Sequence, residues 1–186
     1  MTCPYTVGAI LGKLALDHPG GELLKQIVGI YIRLPRKEIY RLRDNPKILP
    51  KYDPRVALLD GRGIDLGRAW EELGVFLDGG IKLPDHGPTI GEKPMPSTDE
   101  RAHWAYVEPE RVGVLAEELT SIRRREFNQR YDADPEDTQD SLPAARTGQW
   151  GDRAAYLYSK LRKLADHYAT AADAGEGILV RIGERV

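Results

Sequence analysis

Two periodicities run along this chain and mark out its elements. Val28, Ile30, Ile32 and Leu34 alternate with Gly29, Tyr31 and Arg33, the period of two expected of a strand with one face on a core. Pro35 ends that strand. With φ fixed and no N–H, it suits the first helical position, and PRKEIYRL then offers Ile39 and Leu42 to one face before Asn45-Pro46 stops the helix. From Asp65 the period lengthens. In DLGRAWEELGVFLDGG, residues Leu66, Ala69, Trp70, Leu73, Phe76 and Leu77 form an apolar stripe, while Arg68, Glu71, Glu72 and Asp78 hold the edge suited to water. Asp65 is the predicted N-cap and Gly79 the residue expected to close this helix. Its inward face carries a tryptophan and no reactive side chain.

Elsewhere the same reading gives a sparser outline. Residues 46–62 are turn-rich, with Val56 to Leu59 open to assignment as a strand or a helical turn. Gly and Pro crowd the span from Gly80 to Glu100, which predicts the longest loop. A strand is expected at His103 to Val107, then a helix from Glu108-Pro109 with Val112, Leu115, Ala116 and Leu119 on one face, and another over Ile122 to Arg130. Asp132 to Asp140 contains no basic residue and reads as a solvated loop. A long helix from about Asp152 aligns Leu157, Leu161, Leu164, Tyr168 and Ala171 until Gly175 stops it. Gly177 releases a final strand whose apolar triplet Ile178 to Val180 predicts a central place with both faces covered.

Composition narrows the class. At 186 residues, 41% hydrophobic, the chain suffices for one substantial core. A formal charge of −2 argues against the overall basic field that nucleic-acid binding favours, so nucleic acid is not the expected partner. The single Cys3 cannot form an internal bridge, which fits a reducing, cytoplasmic setting. No apolar run has the length of a membrane span, and Val7 to Leu16 is broken by Lys13, so an ordered helix is expected there in place of a targeting segment.

Several blocks carry a resemblance to a known group. VGIYIRLP with PRKEIYRLRDNP, DLGRAWEELGVFLDGG, YVEPERVGVLAEELTSI with REFNQRYD, and YLYSKLRKLADHYATAADAGEGILVRI resemble, in that order along the chain, the YfbM-like bacterial proteins, a domain of unknown function. The likeness runs from Val28 to the end. It implies an α/β fold of three layers, a mixed sheet flanked by helices on both sides, and no established activity. The domain is accordingly placed at 28–186, with 1–27 as an extension packed on it or a start assigned too early. The family often carries histidines in the tryptophan helix; Glu71 and Gly74 stand at the matching positions here, which removes a histidine acid–base role from that helix.

Candidate chemistry is thin. Asp85, His86, Arg101, His103 and Tyr106 surround the long loop, and Asp99 and Glu100 add carboxylates, but the spacing matches no standard metal-ligand pattern, so neither metal nor cofactor is expected. No GxSxG elbow presents a nucleophile. GRG at Gly61 to Gly63 precedes a predicted helix, yet Asp65 at its cap would repel an anion. Two basic clusters stand out: Arg33, Arg36, Lys37, Arg41 and Arg43, then Arg123, Arg124, Arg125 and Arg130. Tyr40, Trp104, Tyr106, Trp150 and Tyr156 are aromatics in excess of one core's needs, and Trp, Tyr and Arg are the types that anchor protein interfaces.

The reading that follows is a non-catalytic cytoplasmic protein that binds another macromolecule, with an immunity or antitoxin role as one form. Arg36, Arg41, Arg123, Arg124, Trp104 and Trp150 are its candidate contacts. The alternative is a small-molecule-binding protein or enzyme with a pocket under the 80–103 loop, lined by Asp85, His86, Arg101, His103 and Tyr106.

Overall fold

The computed structural model describes residues 27–78, 87–96, 101–133 and 150–185; the proposed extension, Cys3, Asp85 and His86, and the acidic stretch beyond Ala133 lie outside them. Strand β1 (Ile27–Pro35) is followed by helix α1 (Arg36–Asp44), a 3-10 turn (Pro46–Lys51), α2 (Pro54–Leu59), β2 (Gly63–Gly67) and α3 (Ala69–Asp78). After the short β3 (Lys93–Pro94) come β4 (Ala102–Val107), α4 (Pro109–Ser121), α5 (Arg124–Ala133), α6 (Trp150–Asp173) and β5 (Glu176–Glu184).

The strands form one sheet in the order β2-β1-β5-β4-β3, so the first and last long strands pair at its centre, from Ile27 opposite Glu184 to Pro35 opposite Glu176. The apolar triplet in β5 is central and buried on both faces, as its composition predicts. Every described pairing is antiparallel, which corrects the expected mixed sheet. Connectivity gives the reason. Val107 at the end of β4 lies opposite Ile178 near the start of β5, so the chain leaves on α4 and returns on α6 to the same end of the sheet. A chain that re-enters the sheet at the end it left makes an antiparallel neighbour, whereas a parallel one needs a crossover to the opposite end.

Alternation along the strands feeds two cores. Tyr31, Leu66, Val107, Ile178, Val180 and Ile182 face α3, α4, α5 and α6 on one side. Val28, Ile30, Ile32, Leu34, Trp104, Tyr106 and Leu179 face Ile39 and Leu42 of α1, Leu49 of the 3-10 turn and Ala57 of α2 on the other. Helices thus cover both faces of the sheet, in three layers. On the first side Phe127 of α5 stands 4.4 Å from Phe76 of α3 and 5.5 Å from Tyr158 of α6 between ring centres, which ties three helices together.

The tryptophan helix departs from expectation at its start. Asp65 is not a cap: it lies within β2 opposite Ile30, and its Oδ1 accepts from the Gly67 N–H at 2.6 Å. Gly67 at φ +60° cannot continue a right-handed helix, so α3 begins at Ala69. Leu66, buried in the same core, is therefore a strand residue. Glu71 and Glu72 are 9% and 8% exposed, against the expected water-facing edge, and Arg153 from the N-terminal part of α6 lies on Glu72. Val56 to Leu59 resolves as helix, held by the Asp53 side chain accepting from the Arg55 N–H at 2.8 Å.

Candidate functional site

Of the residues expected to line a loop pocket, His103 and Tyr106 are not brought together. Positions 103 and 106 of β4 are three apart and so project from opposite faces. Tyr106 enters the α1-side core at 7% exposure. His103 turns the other way, its Nε2 3.3 Å from the Ile90 carbonyl. Arg101 is exposed at the start of β4, and Asp85 and His86 are outside the described residues. Trp104 is likewise buried, with the Arg181 guanidinium 5.8 Å from its ring centre, so Trp104 and Tyr106 are core residues and not exposed anchors. Tyr40 is half-buried and Tyr156 exposed; Trp150 opens α6.

Beneath Gly87 to Glu92 lies a polar group that sequence reading did not find. Tyr31 of β1 and Tyr168 of α6, both fully buried, donate their hydroxyls to the carbonyls of Thr89 at 2.8 Å and Pro88 at 2.9 Å. Burial drives both phenols well above the ordinary tyrosine range. Arg111 of α4 bonds Glu92 at 2.9 Å, where the carboxylate is only 8% exposed. These contacts pin the segment over the sheet. Nothing in the sequence pairs residues 58 and 80 positions apart, and Tyr31 and Tyr168 had read as ordinary members of a strand and a stripe.

Two further buried groups flank this core. Glu72 is gripped by Arg153 of α6, whose Nε lies 3.0 Å from Oε2 while Nη2 meets Oε1. Its neighbour Glu71 has its pKa raised, chiefly by burial, with Arg68 3.7 Å away as partial relief. His167 of α6 is 7% exposed, its Nε2 without a hydrogen-bond partner; burial first, then Arg33 and Lys163, push its pKa down to about 4. Among the described residues no three His, Cys, Asp or Glu side chains are grouped to hold a metal ion.

The two arginine clusters differ in kind. On the α1 side, Arg36 meets Glu110 at 2.9 Å, Arg41 meets Glu38 at 3.0 Å, and Arg43 meets Asp44 at 3.0 Å with Glu108 at 3.8 Å. Such exposed pairs add little stability, but they cancel the local field. Arg123, Arg124 and Arg125, at the α4–α5 junction, are exposed and their side chains make no ion pair or hydrogen bond among the described residues. Arg36 is tied to the first turn of α4 and Arg123 lies two residues beyond its last, so the helix, roughly 20 Å long at 1.5 Å per residue, separates the clusters.

Among the described residues no helix is long and apolar enough to cross a membrane. A search of curated proteins finds no match. Among solved structures the chain is similar to YfbM from Escherichia coli, described as a protein of unknown function, with a TM-score of 0.61 and 16% identity over 83% of this chain and 99% of that one. At that identity the likeness concerns the fold. Residues 26–181 match the profile described as "Domain of unknown function (DUF1877)", and the chain therefore belongs to that family.

Proposed function

We propose that this domain is a non-catalytic binding protein that receives an acidic protein partner on the α4–α5 junction. One observation carries the reading: the run Arg123 to Arg125 is exposed and makes no ion pair among the described residues, whereas the arginines of α1 are matched by carboxylates of their own chain. An uncompensated cationic run steers an acidic surface toward itself and raises the association rate at low salt. Inhibition of another protein, as an immunity or antitoxin protein does, is one form such binding takes. A catalytic reading through the 80–103 loop gains no support from His103 and Tyr106, which project from opposite faces of β4.

The test compares cross-linked capture from an extract of the source organism by the wild-type chain, an Arg123→Glu/Arg124→Glu variant and an Arg36→Glu/Arg41→Glu control. A protein species retained by wild type and control but lost from the α4–α5 variant is the expected result. Equal retention by all three, or retention of nucleic acid in place of protein, would overturn the proposal.

A further inference from the structure

The helices on the α1 side of the sheet seat at one end of it. Ile39 of α1 lies on Gly177, opposite Leu34, so closely that a Cβ there would stand 2.6 Å from the Ile39 Cγ1. Ala57 of α2 lies on Gly63, opposite Ile32, where an added Cβ would stand 3.1 Å from the Ala57 carbonyl carbon. Both seats belong to the Pro35 end of β1. At the other end the same face is formed by Val28 and Ile30 of β1, Arg181 of β5 and Ala102 and Trp104 of β4, with Met95 at the margin. None of these side chains belongs to a residue more than 8% exposed, and Arg181, its guanidinium 5.8 Å from the Trp104 ring centre, is only 5% exposed. A sheet face left to water does not enclose a cation and an indole to that degree, so this end calls for a further covering layer.

The position of each stretch outside the described residues narrows the source of that layer. Residues 79–86 run from α3 to Gly87 and residues 134–149 join α5 to α6, so both begin and end on the opposite side of the sheet, while 97–100 is a short link into β4. Residues 1–26 instead enter the sheet at Ile27, opposite Glu184, at the end in question. Their sequence suits the place. Val7, Ile10, Leu11 and Leu14 recur at i, i+3, i+4 and i+7, the spacing of one apolar stripe on a helix, and Pro19-Gly20-Gly21 then supplies a reversal. A helix over 7–16 is about 15 Å long, and β1 and β4 stand two strand spacings apart, about 10 Å. Residues 17–26, at up to about 3.3 Å each, are long enough to carry such a helix back over the face.

We propose that residues 7–16 dock as an amphipathic helix on this end of the α1-side face, with Ile10, Leu11 and Leu14 against Ile30, Trp104 and Met95. The face is then an interface within the chain: the extension closes over Trp104 and withholds the apolar surface from other molecules. It is a different surface from the arginine run at the α4–α5 junction, and each reading can fail alone.

The experiment is NMR on the whole chain with labelled methyl groups and aromatic rings. Nuclear Overhauser contacts from the methyls of Ile10, Leu11 or Leu14 to the Trp104 ring or the Ile30 methyls are expected. Leu11→Asp, which puts a charge into the stripe, should abolish those contacts and shift the Trp104 ring and Ile30 methyl resonances. Ala9→Asp, on the opposite side of a helix with that stripe, should leave them in place. The resonances of Phe127 and Tyr158, in the other core, should be unchanged in both variants and so report that the domain is folded. The proposal fails if the contacts are absent from the wild type, or if Leu11→Asp leaves the Trp104 ring and Ile30 methyls where they were. It also fails if the contacts arise only between differently labelled copies in a mixed sample, which would make a second copy of the chain the occupant.

Discussion

Acidification should destabilise this domain through His167 well before carboxylate titration is complete. The ring is neutral and buried in the folded chain, with its pKa pushed down to about 4, while in the unfolded chain it returns to 6.5. Between those values the unfolded state binds the extra proton, so stability falls as pH drops from 6.5 toward 4 and the full contribution is present only above 6.5. A difference of that size corresponds to about 3 kcal/mol at 1.36 kcal/mol per unit, of which about 2 kcal/mol is lost by pH 5. That amount lowers the melting temperature by roughly 4–8 °C in a domain of this size. Urea unfolding of the wild type and of His167→Gln, at pH 7.5 and pH 5, isolates the ring: the pH-dependent loss should be about 2 kcal/mol smaller in the variant, and other titrating groups cancel in the comparison. Equal losses in both proteins would refute the assignment of a buried neutral imidazole.

Two substitutions probe packing. Gly29 lies under Trp70, and an added Cβ would stand 2.8 Å from the Trp70 Cβ, an atom fixed to its helix; Gly29→Ala should therefore cost about 1–3 kcal/mol, read as a lower urea midpoint with reduced Trp fluorescence change, and an unchanged midpoint would refute the close approach. Arg153→Ala leaves the Glu72 carboxylate buried without its counter-ion and should cost about 2–3 kcal/mol, moderated by the partial exposure of Arg153. Adding Glu72→Gln should recover much of that loss in a double-mutant cycle, and strict additivity would show that the pair is not coupled.

The sequence alone determined most of the elements and the families of residues that fill the cores. Periods of two and of 3.6 are set by backbone geometry, so β1, β5, α1, α4 and the apolar stripe of α6 were legible from local spacing. The central place of β5 followed from an apolar run without alternation. What remained hidden was set by partners far along the chain. GIDLG reads locally as a helix entrance, yet pairing with β1 and the positive φ of Gly67 make it an edge strand. Glu71 and Glu72 carry the polar signature of a water-facing edge and yet are buried, Glu72 against Arg153 of α6. Trp104 and Tyr106 passed for interface anchors until β4 turned them onto the α1-side core. The candidate sites belong wholly to this second category. That α1's arginines are neutralised while Arg123 to Arg125 have no ion-pair partner among the described residues, and that His167 is buried beneath its neighbours, depends on distances between elements, and a list of residue types holds no such distances.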